Sequence, residues 1–308
     1  MELTILTVID EVRPHSNADR LEILEVAGFR CIVQKGKYKK GDRVVYIPTD
    51  TVLPDDDWAK EYKKYSPKRV KAIRLRGEWS EGIVVPIDVV LNNLNVSKYE
   101  EPIPQDLQSK GGLPFGIPKT DEVRLERIKE NVMGKKFLTT LKIDGQSSTY
   151  GYNLETDEFF ITSRGMNLKL DSHNNWTFIN SKYGIQDKLV KFCKSEGVSL
   201  AIRGEIYGAG IQNRQDNPHA KGEKEVAFFS VWDIKEGKYL TRGLAFNILY
   251  KLGLPIIPVL DIVHITEDFV KKVEDGEHPD VKGYEGFVMV NDDLGTFKII
   301  NKEYDSKK

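Results

Sequence analysis
Cysteine is nearly missing from this 308-residue sequence, which holds only Cys31 and Cys193. Two distant cysteines, neither in a Cys-x-x-Cys pair, cannot build a disulfide framework. Both thiols are expected to be buried as small hydrophobes. Long apolar runs are absent as well. Nothing approaches the ~20 residues that cross a bilayer, and the opening MELTILTVIDEVRP has neither the basic nor the apolar region of a signal peptide. The expectation is an intracellular protein with no membrane partner. The five histidines (His15, His173, His219, His264, His278) show no metal spacing with the cysteines and are expected at the surface or in structural roles. No repeat or low-complexity tract occurs. An excess of one charge is missing too: 46 Lys and Arg face 47 Asp and Glu, for a net charge of −1. What remains is 40% hydrophobic and 30% charged, the mix of a globular chain long enough for two domains with a core each.

The even balance hides a local cluster. Lys60, Lys63, Lys64, Lys68, Arg69, Lys71, Arg74 and Arg76 lie close together with Glu61 as the one acid among them, and Tyr62 and Tyr65 are interleaved. Cations mixed with aromatic rings suit phosphates and stacked bases; a solvated strand with charged edges would look the same. Residues 1–95 read as all-β. Short alternating runs (LTILTVI, LEILEVAG, RCIVQ, RVVYIP) are divided by turn signals such as KKGD and PHSNAD, as in a small barrel. Residues 96–118, with Pro102, Pro104, Pro114, Pro118 and Gly111–Gly112, read as a linker. From 119 to 308 the pattern is mixed. KFLTTLKIDG, TDEFFITSRG, SLAIRGEIYG, VAFFSVWDI, EGFVMV and TFKIIN predict strands. NWTFINSKYGIQDKLVKFCKSEG and TRGLAFNILYKLG predict helices, each closed by glycine. The fold class expected is therefore α+β.

Chemistry concentrates in the mixed part. Thr140-Leu141-Lys142-Ile143-Asp144-Gly145 puts an amine at a strand-to-turn junction, where glycine lets the backbone approach a ligand. Alone, this string is also that of a plain hairpin. Downstream come Ser163-Arg164-Gly165, Arg203-Gly204-Glu205, the apolar strand Phe228–Ile234, Glu285-Gly286-Phe287-Val288 and Thr296-Phe297-Lys298-Ile299-Ile300. In this order and spacing they resemble the collinear motifs of the covalent nucleotidyltransferases, the ATP-dependent ligases and mRNA capping enzymes. VIDEVRPHSNADRLEILEVAG followed by KKGDRVVYIP resembles the OB-fold modules of tRNA-binding domains. Arg69-Val70-Lys71-Ala72-Ile73-Arg74-Leu75-Arg76-Gly77, Ser80–Pro86 and Pro118–Arg124 narrow the resemblance to the Deinococcus/Naegleria type of RNA ligase, over nearly the whole chain. In DNA ligases and capping enzymes an OB domain usually follows the last motif, whereas here the barrel comes first.

That resemblance implies an N-terminal OB-type barrel and an ATP-grasp-like nucleotidyltransferase domain of antiparallel sheets flanked by helices. It implies ATP as co-substrate, Mg²⁺ or Mn²⁺ as metal, and RNA, as a nicked duplex, sealed by a monomer. Lys142 would take the AMP. Free lysine titrates near 10.4, so a neutral amine requires about 4–5 kcal/mol of bias against the ammonium. Asp144, Glu205 and Glu285 would oppose this unless they hold a cation, directly or through its waters. Arg164 would bind ribose or phosphate, Lys298 the α-phosphate, and Lys119 and Arg124 the departing pyrophosphate, although plain surface charge suits either of the last two equally. Trp232, sharing a strand face with Phe228, would stack on adenine, although core packing is the better expectation for Phe228 and Phe229. Arg69, Lys71, Arg74 and Arg76 would grip RNA. Two departures stand out: Ile300 replaces the second lysine of a Lys-x-Lys ending, whose task is either lost or taken over by Lys302, and Leu141 replaces a glutamate common before the nucleophile. The segment from Gln212 to Glu225 is a candidate lid or RNA contact. A DNA ligase, a GMP-transferring capping enzyme, or a non-catalytic nucleic-acid binder are the alternatives.

Overall fold
The computed structural model describes residues 4–65, 67–92 (backbone only at 90–92), 94–98, 109–119, 121–212 and 217–306. It forms two compact units, one of Met1–Pro102, Arg124–Asn131 and Lys302–Lys308, the other of Ile103–Val123 and Val132–Asn301. Much of the expected linker, 99–108 with Pro102 and Pro104, lies outside the described residues. Among the described residues, no helix is long and apolar enough to cross a membrane.

In the first unit β1 (Ile5–Pro14), β2 (Leu21–Val26), β3 (Phe29–Gln34), β4 (Arg43–Pro48) and β5 (Gly82–Pro86) form one antiparallel sheet in the order β3-β2-β1-β4-β5. The first half of β1 pairs with β4 and the second with β2, with a bulge between Ile9 and Glu11. A bulge bends and twists a strand, so β1 turns the corner that curls the sheet into an OB-like barrel. Ile9, Leu24, Val26, Phe29, Val44 and Tyr46 fill it, with the Phe29 and Tyr46 rings stacked at 4.9 Å. Cys31 and Cys193 are both buried free thiols.

The second unit carries two antiparallel sheets. One includes β7 (Gln146–Asn153), β8 (Glu158–Thr162), β9 (Leu200–Tyr207) and β10 (Glu225–Asp233), in the order β8-β7-β9-β10. Helices α1 (Asn175–Tyr183), α2 (Ile185–Glu196) and α3 (Arg242–Lys251) contribute to the core on one face of it, where Tyr150, Trp176, Ile179, Leu189, Ile202 and Phe228 are buried. The single helix expected over 175–196 is two. Gly184, at φ 59°, closes α1 in the left-handed conformation that only glycine adopts cheaply, and α2 restarts from it. The other sheet includes β6 (Lys136–Leu141), β11 (Val259–His264), β12 (Gly286–Asn291) and β13 (Gly295–Ile300), in the order β13-β12-β6-β11. The segment from Lys142 to Gly145 is thus the crossing from one sheet to the other.

Candidate functional site
Lys142 follows the last residue of β6, and its backbone N–H donates to the Gly286 carbonyl at 2.9 Å. Its ammonium lies 2.9 Å from Glu285, just ahead of β12. Two glycines make this crossing possible. A Cβ on Gly145 would stand 2.3 Å from the Ile206 carbonyl oxygen and 2.9 Å from Glu205 Cγ; one on Gly286 would stand 2.1 Å from the Ile299 carbonyl oxygen. No side chain tolerates such distances, so the two strands close on each other only with glycine there. Asp144 and Glu285 are buried. The Glu205 carboxyl is pushed up to about 8, first by burial and then by repulsion from Glu285, Glu122 and Asp144, with Lys142 acting the other way. Several carboxylates therefore share one field with one amine. Among the described residues, no three His, Cys, Asp or Glu converge as a ready metal cage. The surplus of negative charge nevertheless fits a divalent cation held partly through its own waters.

Beside this cluster opens a cavity of about 540 Å³, the size of a nucleotide-binding cleft. Leu141, Lys142, Phe229, Ile257, Val288 and Arg242 are among its walls. Neither Phe228 nor Trp232 is. The expectation that 228, 230 and 232 share a face fails because the β9–β10 ladder slips by one residue: Arg203 pairs with Ser230 and Gly204 with Phe228, leaving Phe229 as the extra residue of a bulge. Phe228 is therefore buried in the helix-side core, and Phe229, expected in the core, faces the cavity. The Trp232 ring packs edge-on against Tyr239 at 4.8 Å. Tyr239, which does line the cavity, and the Pro118 carbonyl both accept from the buried Arg203 guanidinium. Arg242 opens α3 with Nη1 buried and without a hydrogen-bond partner.

Asp121, which the sequence reading passed over, joins two expected site residues. One carboxylate oxygen accepts from Arg164 Nη2 at 3.0 Å and the other from Lys298 Nζ at 3.4 Å. Lys119 reaches across Gly165, where a Cβ would lie 3.5 Å from its Cε. Arg124 belongs to the first unit instead. Its guanidinium donates to Thr49 at 2.8 Å and pairs with Asp305 at 3.6 Å. Burial opposes its charge, but Glu126, Asp305, Glu81 and Asp50 outweigh that and raise its pKa. Lys302 is likewise committed in the first unit, 3.0 Å from Glu81 with both side chains buried, and so does not stand in for the missing second lysine.

The basic stretch divides in the same way. Lys60 pairs with Asp57, Lys63 with Asp55 and Arg69 with Asp50, so acids upstream of the run neutralise part of it. Tyr62 packs into the second core cluster of its unit, while Tyr65 is exposed. Strands Ile73–Leu75 and Glu78–Ser80 form a hairpin, whose Arg76 and Gly77 both take positive φ, 51° and 98°, as in a tight hairpin turn. Arg74, its guanidinium 5.7 Å over the Trp79 ring, and Arg76 are exposed on it, whereas Lys71 is half-buried.

In the segment after β9, Asn217 is fully buried. Its Nδ2 donates to the Asp144 and Gln212 carbonyls, each at 3.2 Å, and its Oδ1 accepts from the His219 N–H at 2.9 Å. Burial lowers the His219 pKa against the pull of Asp144 and Glu285. Residues 213–216 of the expected lid lie outside the described residues.

Residues 3–87 match the model of an OB-fold domain family, and residues 135–300, more than half of the chain, match that of the RNA ligase family. No curated protein sequence matches the chain. Three solved structures of Naegleria gruberi RNA ligase resemble it along its whole length. An alanine variant with ATP and Mn is 25% identical, with a TM-score of 0.85 over 100% of this chain and 99% of that one. A second alanine variant with ATP and Mn is 26% identical, with a TM-score of 0.83 over 100% and 99%. The enzyme with PPi is 25% identical, with a TM-score of 0.82 over 99% and 98%.

Proposed function
The chain belongs to the RNA ligase family, and we propose that it uses ATP to seal 3′-hydroxyl and 5′-phosphate RNA ends at nicks, through lysyl-AMP and RNA-adenylate intermediates. The observation that carries this reading is Lys142, an amine at the crossing of two sheets, held at the wall of a nucleotide-sized cavity beside acidic groups. Complexes of the Naegleria enzyme with ATP, Mn and PPi support the choice of co-substrate and metal.

In the first step the neutral Lys142 amine attacks the α-phosphorus; a P–N bond forms and the bond to pyrophosphate breaks. Glu285 fixes the direction of the amine. Asp144, Glu205 and Glu285 are the residues that would hold the divalent cation, which when bound favours the uncharged amine and offsets phosphate charge. Phe229 and Val288 offer apolar surface to the adenine. Because Leu141 has no polar atom to offer the base, Arg242 and backbone groups supply the donors. Lys298, kept in place with Arg164 by Asp121, faces the charge that develops on the α-phosphate, and Lys119 meets the outgoing pyrophosphate. A 5′-phosphate oxygen then displaces Lys142 from AMP, and finally the 3′-hydroxyl displaces AMP. Arg74 and Arg76, on the exposed hairpin, contact the duplex backbone.

Incubation with α-labelled ATP and Mg²⁺, followed by denaturing electrophoresis, tests the core of the proposal. Wild type should carry label and Lys142→Ala none. A labelled alanine variant would remove Lys142 from the role. A panel of nicked duplexes, each strand RNA or DNA, then separates RNA sealing from DNA sealing.

A further inference from the structure
We infer that Tyr207, His219 and Tyr284 form a stacking platform for the terminal base of the polynucleotide end brought to Lys142. The inference rests on the ligase reading and deepens it by placing the second substrate. The His219 ring bridges the other two, edge-on to Tyr207 at 5.6 Å (66° between planes) and tilted against Tyr284 at 5.0 Å (47°), so a base would stack on one ring face at a time. All three residues are half-buried rather than sealed in the core. None of them lines the cavity beside Lys142. Yet His219 feels the charges of Asp144, Glu285 and Lys142, and Tyr284 immediately precedes Glu285. The rings therefore lie in the neighbourhood of the Lys142 cluster but outside the cavity wall.

The platform is also held fast. Asn217 ties the start of the His219 turn to the Asp144 carbonyl, and the His219 carbonyl accepts from the Gly208 N–H at 2.8 Å. The turn is thus pinned both to the segment that carries Lys142 and to the end of β9. Such fastening keeps rings pre-aligned, lowering the ordering cost of a stacked partner. Aromatic faces stack on any base, since every base has a π-face; a sealing enzyme requires that tolerance of sequence. Lys221, exposed two residues after His219, provides a cation for the adjoining phosphate.

The test uses the full-length chain and a pre-adenylylated nicked RNA duplex, with sealing rates measured against duplex concentration. His219→Ala and Tyr284→Ala should each raise the KM for the duplex about tenfold. Both should form enzyme–AMP from ATP at a rate near that of wild type. His219→Phe, which keeps a flat ring, should recover most of the loss and shows that the site still folds. An abasic nucleotide at the stacked end should weaken wild-type sealing by a similar factor and leave His219→Ala unaffected. Placing it at the 3′-hydroxyl end or the 5′-phosphate end tells which terminus stacks. Sealing by His219→Ala at the wild-type KM, equal loss of enzyme–AMP, failure of the phenylalanine rescue, or abasic and alanine penalties that multiply would each overturn the platform. If wild type itself forms no enzyme–AMP, the ligase reading fails first.

Discussion

Glu205 carries a pH signature that can be measured without any substrate. Its carboxyl is raised to about 8, by burial first and by neighbouring acids second, whereas in the unfolded chain it would titrate near about 4.3. Between those values the folded protein keeps a proton that the unfolded chain has released. Stability is therefore full below about pH 4, falls as pH rises, and is at its lowest above about pH 8. A difference of this size corresponds to at most about 5 kcal/mol by linkage. Because Glu205 retains some contact with solvent in the cavity wall, about 2 kcal/mol is the expected share. Glu205→Gln keeps the shape and removes the charge. In magnesium-free buffer it should match wild type near pH 4 and melt about 4–8 °C higher at pH 8, while losing sealing activity. Thermal unfolding by circular dichroism at four or five pH values reads this directly. Magnesium should stabilise wild type at pH 8 more than at pH 5, because a cation competes with the proton for the same carboxylate. Parallel pH profiles for the two proteins would refute the reasoning, since Glu205 would then be ionised in the folded state.

Three further outcomes are expected. Phe229→Ala should raise the KM for ATP about tenfold, whereas Trp232→Phe should change it less than about twofold; the opposite ranking would place adenine against Trp232. Replacing Arg74 and Arg76 together by alanine should weaken sealing and make its log–log salt dependence shallower by about 1–2, with enzyme–AMP formation retained; an unchanged salt slope would mean that the hairpin does not touch phosphates. Lys302→Met removes the nearer cation of the buried Glu81 carboxylate, leaving Arg30 at 4.0 Å, and should destabilise the first unit by up to about 3–5 kcal/mol in urea unfolding, while adding Glu81→Gln should restore most of that; indifference to the single change would show the pair to be hydrated.

The strands carrying Lys142, Glu205, Glu285 and Lys298 were legible because close backbone packing restricts sequence locally. Lys142 stands two residues before Asp-Gly, and Glu205 and Glu285 each adjoin a glycine; at Gly145 and Gly286 a Cβ would stand 2.3 and 2.1 Å from a neighbouring carbonyl oxygen, so glycine is required there. Such constraints leave short strings that can be read one at a time. Asp121 escaped because its partners, Arg164 and Lys298, lie 43 and 177 residues away, and an isolated aspartate before a glutamate looks like any surface acid. Lys302 and Arg124 escaped for a related reason. Their partners Glu81, Thr49 and Asp305 become neighbours only where Arg124–Asn131 and Lys302–Lys308 rejoin the first unit, and no local pattern marks that return. The basic run misled in the opposite direction. Charge counted within Lys60–Arg76 ignores Asp50, Asp55 and Asp57 just upstream, which pair with its members.

The wall of the cavity shows how one irregular residue changes a functional assignment. Period-two alternation holds on either side of Phe229, with Val226 and Phe228 buried toward the helices before it and Val231 after it. The extra residue shifts the phase, so Phe229 and Ser230, adjacent in sequence, both reach the cavity. Without the bulge, one face would carry 228, 230 and 232, and Trp232 would share the cavity wall with Phe228. Hydrophobic alternation cannot reveal the slip, because phenylalanine suits either face. What locates it is the partner strand: Arg203 and Gly204 pair with residues two apart. Arg203 sits at the bulge, and its guanidinium holds Tyr239 and the Pro118 carbonyl and so joins two stretches of the cavity rim. A bulge that re-aims a side chain toward a ligand is a recurrent device at active sites. Here it puts an aromatic ring on the cavity side at a position where regular pairing would have buried it.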